Sequence, residues 1–164
     1  MVWALIISFL SLTIDQLTKF FIYGKNLSII GDFLVIESVM NTGAAFSAFS
    51  GASWFFIIMT IPFIITLPYL ICTNKISSHI FYKLSLGFIL GGMLGNFLDR
   101  CIFSAVRDFI YFKTINFAIF NFADMFLCIG TIMLIIYIIF MHDKWKKKGL
   151  PTSTVTIGEI KHDK

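Results

Sequence analysis

The run FADMFLCIGTIMLIIYIIFM at residues 122–141, followed by His142-Asp143-Lys144-Trp145-Lys146-Lys147-Lys148, decides the architecture. After Asp124 the run carries no charge for seventeen residues, and then three consecutive lysines follow within a few positions. A helix needs about 20 apolar residues to cross a hydrocarbon core of ~30 Å. Basic residues at the end of such a run mark the cytoplasmic flank of a membrane helix.

Three further stretches meet the same length requirement, at residues 2–23, 54–72 and 80–98. The whole chain agrees with them: 58% of its 164 residues are hydrophobic, 13% are charged and 20 are Phe, with a mean hydropathy of +0.89. A soluble domain of this size cannot cover its core with so little polar surface. The expected fold is therefore a membrane all-α bundle of four transmembrane helices. Pro62 and Pro68 fall inside the second span, where neighbouring helices re-satisfy the freed carbonyls. Gly87, Gly91 and Gly95 recur every four residues in the third and give it one smooth packing face. The first span lacks a basic start and a small-residue cleavage site, and it runs into Asp15-Gln16-Leu17-Thr18-Lys19, so it reads as a retained helix.

Basic residues also set the orientation. Lys75 and Lys83 flank the turn between the second and third spans, on the same side as the Lys-rich tail, and four spans then place both termini in the cytoplasm. The connections at about 24–53 and 99–121 face outward. Within the first, Asn26 to Glu37 reads as two β-rich runs around Gly31-Asp32, and it predicts a small extracytoplasmic β-rich cradle over about 24–51. The organisation is a four-helix domain at 1–143 and a basic cytoplasmic tail at 144–164. The formal net charge of +4 does not point to nucleic acid, because the cluster is short and carries no aromatic platform beyond Trp145. It suits membrane lipid headgroups.

Ionisable residues in or beside apolar spans are costly and hence functional candidates. Here they are Asp15, Lys19, Asp99, Arg100, Arg107, Asp108 and Asp124, and all fall toward the outward ends of their helices or in the second outward connection. Asp15 and Lys19 stand four apart in the favourable order for a helical ion pair. They read either as a self-neutralising pair that helps end the span or as part of a site. Asp99 and Arg100 end the predicted third helix, and Arg100 is read as a tether for an outer loop or a carboxylate. Asn121 suits an N-cap, which places Asp124 in the first turn of the fourth helix, where the dipole favours an anion. A capping role alone accounts for Asp124 but not for Asp108 at the far end of the same connection. Two carboxylates in a poorly solvated site share one proton at neutral pH. One can then activate water while the other protonates the scissile carbonyl or the leaving amine. The dipole makes Asp124 the better candidate for the ionised partner and Asp108 for the protonated one, and which of them carries the proton stays open because the titration belongs to the pair.

Other chemistries are poorly supplied. His79, His142 and His162 all fall on the predicted cytoplasmic side, no serine has a claim on Lys19 as a base, and Cys72, Cys101 and Cys128 have no metal-ligand spacing. Neither a metal nor an organic cofactor is indicated.

Five motifs occur in order: Asp15-Gln16-Leu17-Thr18-Lys19, Asn41-Thr42-Gly43-Ala44-Ala45-Phe46, Gly95-Asn96-Phe97-Leu98-Asp99-Arg100, Val106-Arg107-Asp108-Phe109 and Phe120-Asn121-Phe122-Ala123-Asp124. In this order they closely resemble lipoprotein signal peptidase, or signal peptidase II, of bacteria, from the first helix to the fourth. The resemblance implies an aspartyl endopeptidase of the inner membrane, with its active site near the outer face. It implies prolipoprotein substrates carrying a diacylglyceryl group on the cysteine that follows the cleaved bond. It also implies that Asp108 and Asp124 are catalytic, and that Asn41, Gly43, Asn96, Asp99, Arg100 and Asn121 bind substrate or orient the pair, with Asp15 and Lys19 in support. Two positions depart from the family pattern. Arg107 stands where a small apolar residue is usual, close enough in sequence to lower the pKa of Asp108, and Met125 stands where serine is common. Two alternatives are a non-catalytic membrane protein that binds lipidated peptides and a small transporter working through Asp15 and Lys19.

Overall fold

In the computed structural model, residues 2–43, 48–73 and 75–141 are described. The predicted basic tail, His142, His162 and Ala44 to Phe46 of the second motif lie outside them. The chain forms α1 (Val2–Ile22), β1 (Asn26–Ile30), β2 (Leu34–Asn41), α2 (Ser53–Thr73), α3 (Ile80–Phe103), β3 (Val106–Tyr111) and α4 (Phe122–Ile136), with a 3-10 turn at Lys113–Ile115 and a π-helical turn at Tyr137–Met141 closing α4. The four helices, with that final turn, are long and apolar enough to cross a membrane. At 1.5 Å per residue a helix of 21 residues reaches about 31 Å.

Helix α3 is the centre of the bundle and packs against α1, α2 and α4. Its glycines explain why. A Cβ at Gly87 would strike the backbone of Ala4, and one at Gly91 would strike Ser8 and Ser11. One at Gly95 would fall on the Asp15 carboxylate, and one at Gly92 on Ala123 and Leu127 of α4. Small residues on facing helices thus let the backbones approach closely. At the end away from the sheet, the interior is apolar, built from Ala4, Leu67, Ile71, Tyr82, Leu86, Leu90 and Tyr137. The outward helix faces carry large exposed side chains such as Phe9, Ile65 and Ile139, which suit hydrocarbon rather than water.

Strands β1 and β2 make the predicted hairpin, with Asn26 opposite Glu37 and Ser28 opposite Val35. Gly31, at φ +49°, supplies the turn conformation that an L side chain resists. The sheet has a third strand that the sequence reading did not contain. Val106–Tyr111, expected only as part of the second outward connection, is β3, antiparallel to β2, with Val39 opposite Asp108 and Asn41 opposite Val106. Helix α3 also runs five residues beyond the predicted end at 98, stopping where Ser104 adopts a left-handed conformation and donates its N–H to the Arg100 carbonyl. Asp99 and Arg100 therefore lie in the last turns of a continuing helix. They do not terminate it.

Candidate active site

The interior at the sheet end of the bundle is polar, and most of its polar atoms are paired. On α4, Asn121 is the N-cap and forms a capping box with Asp124. The Asn121 side-chain oxygen accepts from the Asp124 N–H at 3.1 Å, and the Asn121 N–H donates to Asp124 Oδ2 at 3.1 Å. Capping and site thus coincide. The other Asp124 oxygen accepts from Asn96 Nδ2 of α3 at 2.8 Å.

Asp108 reaches the same place from the sheet. After β3 the chain turns back, and Phe120 pairs with Ile110 through N–H···O bonds of 2.8 and 3.1 Å, so the strand and the start of α4 are locked together. Asn121 Nδ2 then donates to Asp108 Oδ1 at 2.6 Å, and Asn41 Nδ2 of β2 donates to Asp108 Oδ2 at 2.9 Å. Only 3% of Asp108 is exposed. Burial, reinforced by the nearby Asp124 charge and only partly offset by the amides of Asn41 and Asn121, pushes its carboxyl up to about 7.

Both aspartates line one cavity of about 500 Å³, together with Asn41, Gly43, Asn96 and Arg100. Its remaining wall is mostly apolar: Val106, Phe117 to Phe120, Met125 and Cys128. A second, more polar hollow of about 290 Å³ shares Asn41, Asp108 and Phe117 to Ile119 with the first and adds Glu37, Tyr111 and Asn116. Arg100 donates to the Gly43 carbonyl at 3.2 Å and lies 4.8 Å from the Phe56 ring of α2. Its buried Nε has no hydrogen-bond partner. Asn41 also holds the next turn, accepting from the Gly43 N–H at 2.9 Å.

Asp15 and Lys19 do more than end a span. Both are fully buried, and Lys19 Nζ lies 2.8 Å from Asp15, 3.4 Å from Asp99 and 3.0 Å from Asn96 Oδ1. Asp15 accepts from the Ala123 N–H in the first turn of α4 at 2.9 Å. The pair joins α1, α3 and α4 directly beneath the aspartates.

Gln16 was quoted in the first motif but not singled out as a site residue. It bonds Asp15 at 3.1 Å, the Gly95 carbonyl at 3.1 Å and Asp99 at 3.2 Å. An amide inside an apolar span was the available signal. The apolar cavity wall at 117–120 had no comparable mark, because Phe and Ile are common everywhere in this chain. Arg107 does not approach Asp108. Successive side chains of a strand point to opposite faces, and Arg107 instead pairs with Asp99 at 2.7 Å. Among the described residues no group of three or more His, Cys, Asp and Glu side chains is placed to hold a metal ion.

A cavity of this kind, opening among membrane-spanning helices and presenting two carboxylates, marks the chain as a membrane enzyme. Residues 7–140 match the family model described as Signal peptidase (SPase) II. A lipoprotein signal peptidase of Bacillus velezensis is 40% identical over 141 residues, covering 82% of this chain and 90% of that protein. One from Listeria welshimeri is 37% identical over 146 residues, covering 85% and 93%. One from Bacillus subtilis is 36% identical over 149 residues, covering 87% and 96%. A solved structure titled "Bacterial membrane enzyme structure by the in meso method at 2.3 A resolution" superposes with a TM-score of 0.76 at 34% identity, covering 90% of this chain and 93% of that one. The chain belongs to the signal peptidase II family. Membership favours a peptidase over the binding-protein and transporter alternatives.

Proposed function

We propose that this chain removes the signal peptides of prolipoproteins that carry a diacylglyceryl-modified cysteine, cleaving the bond just before that cysteine with Asp108 and Asp124. The observation that carries this reading is the placement of both carboxylates on one largely apolar cavity, each held by asparagine amides from other elements. Asp124 takes a proton from a water that attacks the scissile carbonyl carbon. Asp108, neutral below about pH 7, gives its proton to the carbonyl oxygen. As the tetrahedral intermediate collapses, the C–N bond breaks and the amine leaves with a proton returned from the pair.

Asn41, Asn96 and Asn121 orient the two carboxylates. Asp15, Lys19 and Asp99 form the base on which they rest, and Gly43 and Arg100 meet the substrate backbone. The apolar wall of Val106, Ala118, Ile119 and Met125 suits acyl chains and the small apolar residues preceding the cut. In this reading the protein lies in the bacterial inner membrane with both termini in the cytoplasm and the cavity near the outer face. The basic turn at Lys75 and the lysines after residue 143 support that orientation.

The experiment is prolipoprotein processing in membranes carrying Asp108→Asn or Asp124→Asn. Each variant is expected to accumulate and insert like the parent and to leave the precursor uncut. Full processing by either one removes the pair from the mechanism.

A further inference from the structure

Arg107 is the charged residue of this region that the cleavage chemistry leaves unused, and it is unusually well held. Its main-chain N–H donates to Asp99 Oδ2 at 2.9 Å and its Nε to the same oxygen at 3.2 Å. Its Nη2 donates to Asp99 Oδ1 at 2.7 Å and to Gln16 at 3.0 Å. The guanidinium lies 4.8 Å from the Phe103 ring. One residue of β3 is thereby fixed to α3 and α1 at once, and the next residue along the strand is Asp108.

The same contacts set a charge balance. Asp15, Lys19, Asp99 and Arg107 form a continuous group of two carboxylates and two cations, in which Lys19 lies between Asp15 and Asp99. Lys19 also donates to Asn96, which in turn holds Asp124. Without Arg107, a single lysine would face two buried carboxylates, leaving one net negative charge beneath the catalytic pair. Negative charge near a carboxylate disfavours its ionised form. Among the described residues, Arg100 from α3 also lines the cavity of the pair, and Glu37 from β2 lines the neighbouring hollow.

We infer that Arg107 is a positioning residue for the peptidase reaction: it clamps the Asp108 strand to α3 and α1 and completes a neutral four-charge base that keeps one member of the pair ionised. This rests on the catalytic pair proposed above.

The test is the pH–rate profile for cleavage of a lipidated precursor peptide by the full chain in lipid nanodiscs. Arg107→Gln keeps a donor for Asp99 but deletes the charge. It is expected to move the profile to higher pH by about half a unit or more, with kcat reduced and KM changed less than about twofold. Arg107→Lys should retain the parent midpoint and recover much of kcat. The double variant Asp99→Asn with Arg107→Gln is neutral again and should bring the midpoint back. Accumulation of the double variant where Arg107→Gln alone is lost from the membrane supports the balance; loss of both contradicts it. A purely structural clamp would change protein amount and leave the midpoint in place. A profile for Arg107→Gln that superposes on the parent overturns the inference, provided Asp108→Asn and Asp124→Asn are inactive in the same assay. If those two cleave normally, it is the catalytic pair that falls.

Discussion

Replacing Asp108 with asparagine separates the chemistry of this carboxyl from its cost to the fold. In the folded chain Asp108 titrates at about 7, against 3.8 for an ordinary aspartate. A carboxyl raised in this way costs stability as pH climbs from the unfolded value to the folded one, because the folded state keeps a proton that the unfolded chain releases. Linkage puts the cost at roughly 4 kcal/mol at pH 8 and below about 2 kcal/mol at pH 5, a difference of about 2.5 kcal/mol. Asparagine does not titrate, so that difference disappears in the variant. Asparagine also sets an NH2 against one of two donors, Asn41 Nδ2 and Asn121 Nδ2, a loss of about 1–3 kcal/mol that does not depend on pH. The informative quantity is therefore the change with pH. Thermal unfolding in nanodiscs at pH 5 and pH 8 should show Asp108→Asn gaining on the parent by several degrees at the higher pH, while cleavage is lost at both. An offset between variant and parent that is the same at the two pH values refutes the buried, proton-holding Asp108.

Lys19→Met leaves Asp15 and Asp99 buried without their shared cation. It should cost roughly 3–5 kcal/mol, seen as loss of folded protein from membranes. Gly95→Ala drives a methyl into the Asp15 carboxylate; a cost of about 1–3 kcal/mol should appear as a lowered unfolding temperature, together with slower cleavage. Asn121→Ala removes the α4 cap, worth about 1 kcal/mol, and also an amide on Asp108. Its activity should fall by about 100-fold, far more than its stability loss explains, as a kinetic assay on equal amounts of folded protein will show.

Much of this molecule was legible because membrane spans are written locally. Length, hydropathy and the four-residue spacing of Gly87, Gly91 and Gly95 gave the helices and one packing face, and Gly31 with its flanking β-branched residues gave the hairpin. What stayed hidden depends on contacts distant in sequence. The run Val106–Tyr111 is six residues with two charges, too short and too mixed to declare a strand. Only its pairing with β2 turns Asp108 inward and brings Asn41 to it. The end of α3 was misplaced because Asp99 and Arg100 are charged and close an apolar run. Their partners, Arg107 and Lys19 for one and the Gly43 carbonyl for the other, make them interior residues. Adjacency in sequence suggested that Arg107 acts on Asp108, but strand alternation sends the two side chains to opposite faces.

The most direct measurement is mass spectrometry of a synthetic precursor peptide bearing a diacylglyceryl cysteine, incubated with the full chain in nanodiscs. The account predicts one cut, immediately before the modified cysteine, made by the parent and by neither Asp108→Asn nor Asp124→Asn. Cleavage at another bond, or cleavage at the parent rate by either variant, would contradict it.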